Sequence, residues 1–281
     1  MARHLAVAGH RVLGYDPAVP AGAVPAELAA AGVEVTDDVG RLAGTEVSFS
    51  MLPDGAATEE LLLGERGLFA RSRPGHAHVV MGTVGPAAVR ALAVQAEAAG
   101  VGLADAPVSG SVGLAEAGTI TTMVGAAPDL FDRLRPLLAA MTRAQFSTGA
   151  VGSGSTAKLA VNLALAGLNQ AVAEALLIAS VDGLDPAVFY DVLEASAVAA
   201  PYVGYKRAAF LQPATAGVAF PLSLLRKDVG LGLDLASEHG LQLPVAATVG
   251  RLLDGVGDAG MAERDMAEVL TLLRSHDSPE A

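Results

Sequence analysis

Short apolar runs alternate with longer stretches of helical periodicity through the first half of the chain, and then the short runs stop. Segments Arg11–Tyr15, Val33–Thr36, Glu46–Leu52, His78–Met81, Val101–Ala104, Thr119–Val124 and Arg143–Ser147 have the length and bounding residues of strands. Between them, Pro25–Ala31, Ala57–Leu63, Pro86–Ala99 and Pro128–Ala140 read as helices. This alternation predicts an α/β domain built on a doubly wound, mostly parallel sheet covered on both faces. Beyond Gly154 only helical patterns remain, at 155–182, 186–195, 201–210, 222–239, 244–257 and 263–274, with turns at Asp182-Gly183, Gly240 and Gly260. The boundary is expected near 150. It gives a first domain of residues 1–150 and an all-helical domain of 151–281, entered through the helix from 155. The tail from Ser275 to Ala281 is expected to fray.

Composition narrows the partners. Apolar residues make up 52% of the chain and charged ones 17%, which fits a globular protein with a large core. A formal charge of −12 argues against nucleic acid and anionic membrane surfaces. With no cysteine, thiol catalysis, disulfides and thiolate metal sites are excluded, and the cytoplasm is the default compartment. The start of the chain lacks the long apolar region of a signal peptide. The most apolar helix is interrupted by Lys158, Asn162, Asn169, Gln170 and Glu174, which argues against a membrane span. The six histidines, at 4, 10, 76, 78, 239 and 276, have no metal-ligand spacing.

Candidate chemistry is concentrated in three places. The first is residues 105–125, where an apolar run ends on Asp105 and Pro107 and opens into Ser109, Gly110, Ser111, Gly113 and Gly118. Small residues let a backbone close on a ligand. The Ser109 hydroxyl and neighbouring N–H groups can hold a small carboxylate without a cation. Taken alone, the same residues also read as a glycine-rich turn between strands. The second is Lys158. The chain uses fifteen arginines and only three lysines, Lys158, Lys206 and Lys227, so a lysine inside an apolar helix points to a titratable ammonium. Lys158, Asn162 and Asn169 project within about 40° of one another on a helix, a polar stripe that must face water, another domain or a ligand. The third is Lys227-Asp228, which by charge alone reads as a surface ion pair.

Asp16 closes the strand candidate at Val12–Asp16, the place of the ribose-binding acid in a dinucleotide fold. That acid normally stands about 20 residues past a Gly-x-Gly-x-x-Gly turn, which would put the turn and its strand before Met1.

The run Asp105–Gly125 resembles the substrate-binding loop of the 3-hydroxyisobutyrate dehydrogenase family of β-hydroxyacid dehydrogenases. Gly152-Ser-Gly-Ser-Thr-Ala-Lys158-Leu-Ala-Val-Asn162 resembles its catalytic segment, and Phe220-Pro-Leu-Ser-Leu-Leu-Arg-Lys227-Asp228 its cofactor-closing segment. The similarity runs from Met1 to about residue 273. Met1–His10 matches only the end of the family's opening strand-turn-helix pattern. The sequence as written is therefore expected to lack that strand and turn, and to bind NAD weakly.

The resemblance implies a Rossmann-like dinucleotide domain followed by a helical substrate and dimerisation domain. It implies that Lys158 is the catalytic lysine, set in a cleft between domains, and that Asn162 orients the substrate beside it. Ser109, Gly110 and Thr83 would meet the substrate. Asp16, Leu52, Pro53, Thr83 and Lys227 would meet the cofactor. The partners implied are a small carboxylate substrate and further copies of the chain, as a homodimer or higher homo-oligomer. Asp16 followed by Pro17, with no cation nearby, favours NAD over NADP, because a carboxylate repels the 2′-phosphate. Two alternatives stand beside this reading. One is a related imine reductase, against which Lys158 counts. The other is a non-catalytic interaction protein on the same fold, which the retained Lys158, Asn162, Ser109 and Lys227 oppose.

Overall fold

Among the described residues the alternation of the first half folds into eight strands: β1 (Leu13–Gly14), β2 (Glu34–Val35), β3 (Val47–Ser50), β4 (Ala77–Val80), β5 (Gly102–Asp105), β6 (Val108–Ser109), β7 (Ile120–Gly125) and β8 (Thr142–Gly149). Interleaved are helices α1 (Ala2–Val7), α2 (Ala26–Ala30), α3 (Gly55–Leu63), α4 (Pro86–Ala98), α5 (Val112–Glu116) and α6 (Pro128–Met141). The second half is helical: α7 (Ser153–Val181), α8 (Pro186–Ala195), α9 (Pro201–Leu211), α10 (Leu222–Glu238), α11 (Pro244–Asp254) and α12 (Val269–His276). These elements come from a computed structural model that describes residues 1–19 and 24–276, so most of the expected fraying tail lies outside the described residues. The chain divides into two units, Met1–Lys158 and Leu159–Ala281.

In the first unit β3, β4 and β5 are parallel neighbours, and β7 is parallel to β8. Because β7 runs antiparallel to β5 and β6, the sheet is mixed. The short pair β1–β2, also parallel, forms a separate two-stranded sheet. Apolar side chains leave both faces of the main sheet. Val80, Leu103 and Val101 pack with Leu62, Phe69, Val89 and Leu92 on one face. Val79, Ala104 and Val124 pack with Leu134, Leu138 and Met141 on the other. Each fully buried leucine contributes roughly 1.5–3 kcal/mol. The loop between β5 and β7 is more ordered than its composition predicts, since it holds both β6 and α5.

One polar chain crosses the first of these faces. The His76 Nδ1–H donates to the Thr45 carbonyl (2.8 Å), which leaves Nε2 to accept from Ser48 Oγ (2.9 Å). Ser48 Oγ then accepts from His78 Nδ1 (2.7 Å), and His78 Nε2 accepts from Ser50 Oγ (3.0 Å). Every proton has one place to go, provided both rings are neutral. Burial pushes His78 down to about 3, and lowers His76 as well.

The helical unit packs Leu176, Tyr190, Val203, Leu222, Leu225, Val229 and Leu270 around α7. By length and composition alone α7 could cross a bilayer. Its interior polar groups are nonetheless used within the unit. Asn169 does not join Lys158 on an open stripe. It is buried, donating to the Met266 carbonyl (3.0 Å) and accepting from the Tyr202 hydroxyl. The buried Lys206 ammonium meets both carboxylate oxygens of Asp265 (2.6 and 2.7 Å), and Asp265 also accepts from three backbone N–H groups. Those partners hold its carboxyl below the usual range against the opposing effect of burial.

Candidate active site

Ligands of open α/β sheets bind beyond the carboxyl ends of the strands. In the first unit the predicted residues stand at such ends. Leu52 and Pro53 follow β3, Gly82 and Thr83 follow β4, and Ser109 and Gly110 close β6. Leu52, Thr83 and Ser109 are half-buried, while Pro53 and Gly110 are exposed. The two loops after β3 and β4 touch through backbone. A Cβ on Gly82 would collide with the Leu52 carbonyl oxygen, so only glycine lets Thr83 follow β4 in this position. The result is a surface of backbone and small side chains, of the kind a dinucleotide needs, and these residues fit a nicotinamide cofactor. Gly110 adopts φ +144, and a Cβ there would come 2.7 Å from Ile120 Cγ2, so this position also requires glycine. Asp16 follows β1, is exposed, and accepts the Ala18 N–H (2.8 Å).

Lys158 lies in the second turn of α7 and is half-buried. The start of that helix is held by a residue that sequence reasoning left unassigned. Asp105, fully buried at the end of β5, accepts the Gly152 N–H (2.7 Å) and the Ser155 N–H (2.6 Å). Burial raises its pKa, and the N–H groups oppose that rise. A carboxylate at this end of α7 also complements the helix dipole. Gly125 and Gly154 make the contact possible, because a Cβ on either would collide with backbone or with Asp105 itself. Gly154 is therefore a close-packing residue that lets β5, β7 and α7 converge, whereas Gly152 is required by its φ of +94.

In the helical unit Asn162 is 1% exposed, and its Nδ2 donates to Asp228 Oδ2 on α10. Asp228 is 2% exposed, so Lys227-Asp228 is not the surface ion pair that charge alone suggests. Lys227 is half-buried, with Nζ 3.2 Å from Asp228 Oδ1, whereas the carboxylate faces inward. Residues Leu222, Leu225, Val229, Gly232 and Ala236 form the buried face of α10, and Asp228 lies on it. Gly232 brings α10 against α7, since a Cβ there would come 2.8 Å from a Leu163 methyl. Lys227 also lines an open hollow of about 540 Å³ with Ser223, Arg226, Arg251 and Asp254. Among the described residues no cluster of histidine and acidic side chains is arranged to hold a metal.

Known proteins match the chain along both units. Residues 1–152 match the family described as the NAD binding domain of 6-phosphogluconate dehydrogenase. Residues 152–273 match the family described as NAD-binding of NADP-dependent 3-hydroxyisobutyrate dehydrogenase. The chain is 37% identical to a 3-hydroxyisobutyrate dehydrogenase of Pseudomonas aeruginosa, over 99% of its own length and 95% of the relative's. It is 31% identical to an NAD-dependent L-serine dehydrogenase of the same organism, over 97% and 94%. Among solved structures, Mycobacterium tuberculosis 3-hydroxyisobutyrate dehydrogenase with L-serine superposes with a TM-score of 0.83 at 28% identity, covering 97% of this chain and 94% of that one.

Proposed function

The chain belongs to the 3-hydroxyisobutyrate dehydrogenase family, and on that premise we propose that it oxidises a small β-hydroxy acid to its semialdehyde, and runs the reverse reduction, with a nicotinamide cofactor. The observation that carries the reading is the Asp105 anchor, which fixes the first turn of α7 and hence the helix bearing Lys158. In oxidation the substrate loses an O–H proton and a C–H hydride, and a C=O bond forms. A nicotinamide held by the residues named below would supply the hydride acceptor. Lys158 Nζ takes the proton from the hydroxyl oxygen, and in reduction its ammonium returns one, the work of a general acid–base. Asn162 orients the reacting oxygen. Ser109 and the backbone at Gly110 hold the substrate carboxylate, with Thr83 nearby. Asp16, Leu52, Pro53, Thr83 and Lys227 contact the cofactor.

Asp16 supports NAD over NADP, because its carboxylate would repel a 2′-phosphate. Lys158 and the dehydrogenases matched over the full chain favour this reading over an imine reductase or a non-catalytic partner protein. The exposed apolar side chains of α7 and α8 support a homodimer.

The test is absorbance at 340 nm with NAD or NADP and a panel of acids: 3-hydroxyisobutyrate, L-serine, 2-(hydroxymethyl)glutarate and, in reverse, 2-hydroxy-3-oxopropionate and succinic semialdehyde. Turnover of at least one, faster with NAD than NADP, is expected. No turnover with any, under either cofactor, overturns the reading.

A further inference from the structure

We propose that Asp228 is a positioning residue for this reaction, fixing the Asn162 carboxamide so that Oδ1 is the end turned away from α10 and offered to the reacting group. The inference rests on the dehydrogenase reading and adds to it a residue and a rule of recognition.

A carboxamide side chain can sit in two orientations that differ only in which end donates and which accepts. At Asn162 the choice is made by its neighbour. Ionised Asp228 has acceptors only, so it takes the Asn162 Nδ2–H and excludes the flipped amide, which would set two acceptors against each other. Asp228 is almost fully buried, so on its side of a flipped amide no water could separate the two facing oxygens. Lys227 Nζ, 3.2 Å from the other carboxylate oxygen, offsets the charge that burial would otherwise penalise. Close approach at Gly232 and Leu163 holds α10 against α7 one turn from the contact.

With Nδ2 committed, Oδ1 is an acceptor on the opposite side of the amide. An acceptor there suits a donor: the hydroxyl of the alcohol substrate or a protonated amine. It opposes a carboxylate oxygen. Asn162 is thereby assigned to the hydroxyl end of the substrate, and the carboxylate is left to Ser109 and Gly110.

The experiment compares the parent enzyme, Asp228→Asn, and the exchange Asn162→Asp with Asp228→Asn. In Asp228→Asn the new amide can meet either end of Asn162, so the orientation is lost. We expect kcat to fall on the order of 10²-fold, as for a misplaced reactive group, with KM and NADH binding (followed by fluorescence) little changed. The exchange rebuilds one buried hydrogen bond in reverse, so it should recover the thermal midpoint but leave turnover low, because a carboxylate now stands where Oδ1 was needed. The exchange thus separates the fold, which it restores, from Oδ1, which it removes together with Asn162. Parental kcat in Asp228→Asn, or turnover recovered in the exchange, overturns the proposal. Should Asp228→Asn melt below assay temperature, Asp228→Glu decides in its place: it keeps an acceptor-only carboxylate but displaces it, so kcat should fall with KM held, and a parental kcat overturns the proposal. An active parent indifferent to these changes removes only this role. A parent inactive on every acid removes the function with it.

Discussion

Asp105 and Ser155 are joined by a 2.6 Å hydrogen bond that spans 50 residues of sequence and pins the first turn of α7 to the end of β5. With the Gly152 N–H on the other carboxylate oxygen, one side chain satisfies two of the donors that every helix start leaves open. Asp105→Ala strands both in a dry site and should lower stability by about 2–5 kcal/mol. Asp105→Asn keeps one acceptor and should lose about 1–3 kcal/mol. Urea denaturation measures both. Equal stability of parent and alanine variant would remove Asp105 as the anchor.

The His76–Ser48–His78–Ser50 chain makes stability depend on pH. Unfolded, each imidazole titrates near 6.5. Folded, burial holds His78 at about 3, and His76 is shifted the same way by burial and by Arg133 and Arg73. Between these values the unfolded state binds more protons, so stability is complete above about pH 6.5 and falls as pH drops. At pH 4.5 His78 alone should account for a loss of roughly 3 kcal/mol. In denaturation curves from pH 7.5 to 4.5, His78→Val should fall less steeply than the parent by about that amount. Parallel curves would show that the ring is not held neutral.

Much of this architecture is legible in the sequence, and the exceptions have physical causes. Strands β3, β4 and β7 stand out because apolar runs are bounded by glycine, proline and polar turns. The two-residue β6 and five-residue α5 are too short for a period to register, so their segment reads as a loop. Lys158, Asn162 and Asn169 do share a helix face, but periodicity cannot say what covers it. Tyr202 and Met266 claim Asn169, and Asp228 claims Asn162. Asp228 itself was recoverable. It falls on the stripe Leu222, Leu225, Val229 and Gly232, and that spacing outranks its charge as a guide to burial. Asp105 gave a fainter sign, a carboxylate ending an apolar run just before a proline.

Lys158 is asked to move a proton at the substrate oxygen. Lys158→Ala should reduce kcat by roughly 10²–10⁴-fold, the span usual for loss of a general acid or base. Lys158→Arg should rescue little, because a guanidinium stays charged and cannot exchange the proton. NADH binding, measured by fluorescence, should be nearly unchanged in both. Unaltered turnover in Lys158→Ala would take this lysine out of the reaction.

The last expectation concerns assembly. On α7 Ile178 is 67% and Val181 76% exposed, and on α8 Val188 is 52% and Val192 55% exposed. Single exposed apolar residues are ordinary, but several on successive helices of one unit supply apolar area of the kind an interface buries. A closed twofold contact is the commonest way for such area to be buried. Light scattering at micromolar concentration should therefore give a mass near twice the 28.2 kDa of one chain. Placing a carboxylate on each of the two helices, as Ile178→Glu with Val188→Glu, sets like charges into a self-complementary interface. It should shift the protein to 28.2 kDa without unfolding it, as far-ultraviolet circular dichroism would confirm. A parent that stays at the monomer mass, or a double variant that keeps the dimer mass, would rule out this face as the interface.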